Sequence, residues 1–437
     1  MIKKIKLKVE KLDLHTLEVV KKSSSSLIVK VSGMAVGLLI SIYLGRTIGA
    51  EGLGVINLSN SIASLVIIVT LFGFDNVIVK NVAISYHKRQ WKVVNDNIYT
   101  AKYFNGVLSI VVALIGVLSA SFLSNKVFNN PELEIPLIIA MVMVVPQTFS
   151  RVFSSGLNGL RKIWQSNLVN QALSLWIVGL GIVISFFLKI NVTVVNVLLL
   201  YLIARIIVSF SVFIYWKKYF SYAGIKSLCL PSMLKNALPL LLVSGTAVIA
   251  SNADAFMLGW LSNVKEVGLY TVAARLALLV ILFLQVTNSA ISPKLASLIS
   301  DKEFEQVSIL VKRVTLGLGF IAVIFLIVFI FFGDFFLGLW GQEFKEAYWV
   351  LVILSIGQFV NIVTGCAGVL LIMSGFEREH GYISFLSLII NLCLNFFLIK
   401  YYGAIGAAIA TSVTIMFENL VKVLVVKNKI GILTIPF

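Results

Sequence analysis

Residues 44–58 read LGRTIGAEGLGVINL, and 214 positions later, over 258–272, the chain reads LGWLSNVKEVGLYTV. In this register Leu44-Gly45 falls on Leu258-Gly259, Gly54 on Gly268, Val55 on Leu269 and, further along, Lys80 on Lys294. Two residues out of that register, LNGLRK (157–162) is mirrored by MSGFER (373–378). A glycine in a membrane helix means little alone; several at one offset mark an internal repeat. Each match sits at the same place in a unit of six apolar runs. Six spans per unit leave both halves in the same orientation, which predicts two six-helix lobes related by an axis along the membrane normal, with a cavity between them.

The rest of the chain supports a membrane setting. Hydrophobic residues make up 59% and charged residues 13%, about half the charged fraction of a soluble chain. Twelve apolar runs follow one another, from about 24–48 to about 403–427, each long enough to cross a bilayer as a helix. The expected fold is therefore all-α and polytopic, with twelve transmembrane helices. Its expected divisions are a basic cytoplasmic segment 1–22, an N-lobe 23–220, a cytoplasmic linker 221–235, a C-lobe 236–429 and a tail 430–437. The N-terminus reads as retained, because its apolar run is too long for a signal-peptide core and no small-residue cleavage site follows. Within it Ile2, Ile5, Val9 and Leu12 recur at helical spacing between lysines, a pattern that suits either an anionic leaflet or a solvated tail.

Lysine and arginine set the orientation. Twenty-five basic residues fall in segments on the side of the N-terminus and six on the other, Arg46, Lys126, Lys189, Lys265, Lys345 and Lys400. This asymmetry places both termini in the cytoplasm and accounts for most of the +17 net charge without nucleic acid. Cys229, Cys366 and Cys393 lack metal-ligand spacing, and His15, His87 and His380 lie in polar segments. Neither a disulfide framework, a metal site nor a cofactor is expected. All connections are short, so no external catalytic domain exists and a transporter is expected rather than an enzyme.

Beyond composition, the chain resembles the multidrug/oligosaccharidyl-lipid/polysaccharide (MOP) exporter superfamily, and within it the bacterial O-antigen and polysaccharide-unit flippases (Wzx type). The resemblance runs from the first span to the last. It is carried by 44–58, by VGLYTVAARLALL (267–279) with Pro293 ending the following span, by LGLWGQEFKEAYWVLVILSIGQ (337–358) and by YYGAIGAAIAT (401–411). It implies translocation of a polyprenyl-diphosphate-linked oligosaccharide, an O-antigen or other polysaccharide repeat unit, across the bacterial inner membrane by alternating access. Lipopolysaccharide or other polysaccharide biosynthesis would be the setting. Membrane lipids and other polysaccharide-assembly proteins are the expected partners of a monomer. Tyr270-x-x-Ala273-x-Arg275-Leu276 also resembles the opening of span 8 in peptidoglycan-precursor flippases, where a matching arginine faces the central cavity; the resemblance implies the same for Arg275, and spans 1 and 8 as the gate.

Charges inside the spans need a physical reason. Lys30, Lys102, Arg151, Arg205 and Arg275 would together cost on the order of 15 kcal/mol facing lipid, at about 3 kcal/mol each. Lys30 and Lys102 lie within snorkelling range of the inner interface. Arg151 follows Pro146 by five residues. Arg205 and Arg275 sit about 14–17 Å from either face at ~1.5 Å per residue, beyond the reach of snorkelling. Arginine grips phosphate oxygens through paired N–H donors, so the expected diphosphate site comprises Arg275, Arg205, Arg151, Lys30 and Arg46, with Arg205 the companion of Arg275. Asp254 and Glu418 are the candidate coupling-ion or structural acids. Asp254 could instead neutralise Arg275, and Glu418 has i,i+4 spacing to Lys422. Asn57, Asn60, Asn158, Asn167, Asn170, Gln171, Asn252, Gln285, Gln358, Asn361 and Asn391 could bond sugars, or simply neighbouring helices.

Three other functions share parts of this pattern. A multidrug or cation antiporter of the same superfamily would carry dominant acids in its cavity. A lipid-linked peptidoglycan precursor flippase would carry more cations in spans 1 and 2. A membrane polymerase or glycosyltransferase would place acids and arginines in sizeable outer loops.

Overall fold

The computed structural model describes residues 14–220, 224 and 227–435. Of the basic segment expected over 1–22, positions 1–13 lie outside these residues, as do 221–223 and 225–226 of the expected linker. Among the described residues every regular element is helical. In chain order the α-helices are α1 (Leu14–Leu71), α2 (Phe74–His87), α3 (Trp91–Phe122), α4 (Glu134–Gly159), α5 (Ile163–Asn167), α6 (Leu173–Phe187) and α7 (Val194–Tyr219). They continue with α8 (Leu230–Leu261), α9 (Val264–Leu278), α10 (Ile281–Ser300), α11 (Phe304–Gly338), α12 (Tyr348–Thr364), α13 (Ala367–Met373) and α14 (Glu377–Ile430).

Two of these are too long for one crossing. At 58 and 54 residues, α1 and α14 exceed by far the roughly 20 residues that a bilayer core requires. Each breaks at a glycine with positive φ, Gly49 (φ 70°, ψ −174°) in α1 and Gly403 (φ 52°, ψ −130°) in α14. A residue bearing a Cβ would be strained at either point. Among the described residues eight helices are long and apolar enough to span, and two bent pairs, if each is one span, raise this to ten. Dividing α1 and α14 at their glycines is consistent with the expected twelve.

Apolar residues cover the outward faces of the spans. Leu114, Leu118 and Phe122 of α3 and Phe320, Phe331 and Phe335 of α11 are all exposed, which suits hydrocarbon surroundings and not water.

One expectation about a break needs correction. Pro293 does not end its span, because α10 continues through it to Ser300. The break in this span comes earlier, at 279–280, where α9 and α10 are bent by 42°.

The chain divides into two compact units. The first holds the described residues up to Ile40 together with Val66–Ala120 and Leu137–Ser244. The second holds Ser41–Leu65, Ser121–Pro136 and the chain from Gly245 onward. The second unit has a core of Leu295, Val311, Cys366, Leu370 and Val426, against which Ile432 of the C-terminal segment packs. Gly431, left-handed at φ 77°, caps α14 and turns the chain back onto that core. All three cysteines are free.

Candidate functional site

Within the second unit, the two glycines that the repeat superposes meet each other. A Cβ on Gly54 would lie 1.7 Å from the Val264 carbonyl oxygen, and one on Gly268 would lie 1.9 Å from that of Ala50. The relation is reciprocal, each glycine facing the residue four positions before the other. The second arm of α1 and the start of α9 therefore cross backbone to backbone, at a distance only glycine permits.

Three residues beyond the crossing the symmetry continues in side chains. Asn57 Nδ2 donates to Thr271 Oγ1 at 2.9 Å, again 214 positions apart. One turn further along α9, Arg275 Nη2 donates to Asn57 Oδ1 at 2.9 Å. Arg275 is not in the middle of an unbroken helix, because α9 ends at Leu278 and places it in the last turn.

Acids fasten the glycine breaks of α1 and α14. Glu343 Oε1 accepts from the Ala50 amide at 2.8 Å, directly after Gly49. Glu266 Oε2 accepts from the Ala404 amide at 2.7 Å, directly after Gly403. In both places a carboxylate meets the positive end of the helix that restarts after the break. Lys265 and Glu346 add an ion pair at 2.7 Å. Arg46 Nε donates to the Leu339 carbonyl at 2.7 Å and is exposed.

Asp254, on α8, is held by neutral groups. Its carboxylate accepts from the Tyr270 hydroxyl, from Thr411 Oγ1 at 2.8 Å and from Asn395 Nδ2 at 2.7 Å. Asn395 also donates to Asn391 Oδ1 at 3.1 Å, while its own carbonyl oxygen is buried without a donor. The sequence left open a salt bridge between Asp254 and Arg275; the structure gives the acid three neutral donors and gives the arginine Asn57. Chemically, a carboxylate with an orphaned amide oxygen beside it can take a proton or a small hard cation. Glu418, the other candidate acid, pairs with Lys422 at 2.5 Å and accepts from Ser384 at 2.8 Å.

In the first unit the structure gathers three charges. Arg151 on α4 lies close enough to act electrostatically on both Arg205 of α7 and Asp75 of α2. All three are half-buried, and Asp75 Oδ1 has no hydrogen-bond donor. Arg151 thus has a like charge and an acid within electrostatic reach, two cations to one carboxylate. Lys30 is half-buried on the first arm of α1. Lys102 lies 5.9 Å from the centre of the Phe213 ring.

Sequence reasoning missed Tyr270, Thr411 and Asn395 as partners of Asp254, and Glu266 and Glu343 as caps. Tyr270 and Thr411 stand inside the quoted motifs. A capping acid far along the chain leaves no local signal.

This all-α arrangement of spans is that of a known class of membrane proteins. The family described as polysaccharide biosynthesis protein matches residues 19–299, and the MatE family matches residues 239–397. The chain belongs to the polysaccharide biosynthesis protein family. A curated relative, the probable low-salt glycan biosynthesis flippase Agl15 of Haloferax volcanii, is 22% identical over 91% of this chain and 81% of its own length. Among solved structures, an inward-facing multidrug resistance MATE family transporter of the MOP superfamily superposes with a TM-score of 0.73 at 14% identity, over 93% of this chain and 98% of that one. The lipid II flippase MurJ in an inward closed conformation superposes with a TM-score of 0.71 at 15% identity, over 93% of this chain and 87% of its own. The protein is thus a multi-span membrane protein with the MATE-like fold.

Proposed function

We propose that the protein is a flippase, and not an enzyme, that carries a polyprenyl-diphosphate-linked oligosaccharide from the cytoplasmic to the outer leaflet of a bacterial inner membrane. Both termini would be cytoplasmic, as the basic-residue asymmetry argues. The observation that supports the reading is that Arg151, half-buried in the first unit, lies within electrostatic reach of Arg205 and of the half-buried acid Asp75. Like charges so placed within spans repel, and a diphosphate relieves both at once. In the second unit, Arg275 near the end of α9 is a separate candidate cation. Lys30 belongs with these cations, whereas Arg46 is better assigned to fastening the Leu339 carbonyl.

The glycan is too polar for hydrocarbon and the polyprenyl tail too apolar for water. Alternating access with a lateral opening satisfies both, the tail staying in lipid while the head group passes. The crossing of α1 and α9 at Gly54 and Gly268 is then the closed contact of the gate. Asp254 supplies the coupling group, exchanging a proton or a cation as the cycle turns. The name of the Haloferax relative supports glycan flipping.

The test is reconstitution in proteoliposomes with defined lipid-linked donors. An O-antigen or capsular repeat unit on polyprenyl diphosphate is expected to reach the far leaflet, and Arg151→Ala and Arg205→Ala to slow it at least tenfold. Transport of an organic cation instead, or of a peptidoglycan precursor in preference to every polysaccharide unit, would overturn the assignment.

A further inference from the structure

Where α2 ends and α3 begins, the first unit holds a cavity of about 360 Å³. Asn81, Ile84 and Ser85 of α2 and Val93, Asp96 and Asn97 of α3 line it, and Cys229, just before α8, forms a further wall. That wall is clasped in place. Asp96 accepts from the Ser227 amide at 3.0 Å and from the Ser227 hydroxyl at 2.7 Å, while Thr100 Oγ1 accepts from the Cys229 amide at 3.0 Å. Asn81 Nδ2 donates to Asn97 Oδ1 at 2.8 Å and so ties α2 to α3. Two polar atoms of the lining are left over. Ser85 is only 4% exposed, yet its hydroxyl has no hydrogen-bond partner among the described residues, and Asn81 Oδ1 has no donor there either.

We propose that this cavity binds a single neutral sugar ring of the glycan. The proposal deepens the flippase reading and rests on it. The lining contains a carboxylate and no lysine or arginine, so a phosphate would be repelled rather than held. Asn81 Oδ1 and the lone pairs that Asp96 keeps beyond Ser227 call for donors, and the Ser85 hydroxyl can give or take one bond. These groups are spread over two helices, so the ligand must present several hydroxyls in different directions. An ammonium gathers its donors at one point and meets the arrangement poorly. Ile84 and Val93 add the apolar contact that the C–H face of a sugar ring makes. Small-molecule sites run from about 300 to 1,000 Å³, and a cavity near the lower end holds one ring rather than a chain. The basic-residue asymmetry puts the turn between α2 and α3 on the cytoplasmic side, where the repeat unit is loaded.

Cys229 supplies the reporter, since its thiol is free and part-exposed. The experiment follows alkylation of Cys229 by iodoacetamide, read by peptide mass spectrometry, on the full chain in lipid nanodiscs. The probes are the methyl glycosides of glucose, galactose, mannose, rhamnose, N-acetylglucosamine and N-acetylgalactosamine. At least one is expected to slow Cys229 about threefold, as a ligand at twice its Kd would, and to leave Cys393 unchanged. Inorganic diphosphate and tetramethylammonium are expected to protect neither. Ser85→Ala removes a hydroxyl that makes no internal bond and should fold normally. It is expected to raise the half-protecting concentration about fivefold, the scale of one hydrogen bond. Asn81→Ala should cost at least as much, with thermal unfolding as its control.

Protection by none of the glycosides overturns the sugar site, as does equal protection by diphosphate or tetramethylammonium. Undiminished protection in Ser85→Ala, or a Cys229 that the reagent never reaches, overturns it as well. Flipping of a lipid-linked repeat unit in proteoliposomes, measured in parallel, separates the two readings. Flipping without protection of Cys229 removes the sugar site alone. Protection of Cys229 without flipping of any lipid-linked glycan removes the flippase reading and leaves a sugar-binding cavity.

Discussion

The two units treat charge within the membrane in opposite ways. In the second, Asp254 is surrounded by Tyr270, Thr411 and Asn395, neutral dipoles that satisfy a carboxylate without cancelling its charge. In the first, Arg151 acts electrostatically on Arg205 and on the acid Asp75. Neutral donors keep an acid ready for a proton or a cation, which can enter and leave without rebuilding the site. Like charges within reach of each other favour an anion beside them. On the proposed function the contrast would separate a coupling group from a cargo-binding group, and it makes unequal demands on stability.

The sharpest way to break the contrast is at Asp254. Asp254→Ala is expected to abolish transport and to destabilise by about 3 kcal/mol or more, since three donors lose their acceptor at once. Asp254→Asn, which retains an accepting oxygen, is expected to abolish transport while leaving unfolding within about 1 kcal/mol. Transport assays with thermal unfolding distinguish these. Normal flipping by Asp254→Asn would remove the coupling role.

Arg205→Ala should do the reverse. It is expected to slow flipping at least tenfold while leaving thermal stability unchanged or higher, because it relieves repulsion with Arg151. A stability loss as large as that of Asp254→Ala would show the arginine to be a packing element and erase the distinction between the units.

How far the sequence revealed this depends on the range of the interaction involved. The apolar runs, the repeat at 214 and the i,i+4 pair of Glu418 with Lys422 are written in residue spacing, and each is visible without coordinates. The repeat even anticipated which glycines matter, though not that Gly54 and Gly268 touch. The breaks were harder. Gly49 and Gly403 are ordinary in composition, and only their dihedral angles reveal a kink. Arg275 illustrates the same limit. Its flanks read as one continuous helix, and the end of α9 three residues later is set by packing that no local pattern encodes. Partners of Asp254, itself on α8, come from α9 and α14, so its neutral cage could not be read from neighbours in the chain.

The contrast also bears on whether Asp254 and Arg275 act as one unit. Asp254 is bonded by Tyr270, Thr411 and Asn395, and Arg275 donates to Asn57, so the stability changes of Asp254→Ala and Arg275→Ala should add in the double variant to within about 0.5 kcal/mol. A rescue of both stability and transport in the double variant would mean that the pair exists to neutralise itself, and would exclude the diphosphate role.

The smallest expected effect tests whether charge matters at the glycine breaks or only hydrogen bonding. Glu343→Gln keeps an acceptor for the Ala50 amide but removes the negative charge from the helix start. A cap of this kind contributes about 1 kcal/mol, and the charge beyond the hydrogen bond about 0.3–1 kcal/mol. Glu343→Gln should therefore lower stability by a few tenths of a kcal/mol, and Glu343→Ala by about 1 kcal/mol. Glu266→Gln should match Glu343→Gln, since Glu266 performs the same task at Ala404. Both acids sit near the crossing, so a weaker cap should favour its parting, and cysteine pairs placed across α1 and α9 should cross-link less readily in Glu343→Ala. Unchanged cross-linking in that variant would show that the Gly54–Gly268 contact, and not the acid, keeps the helices together.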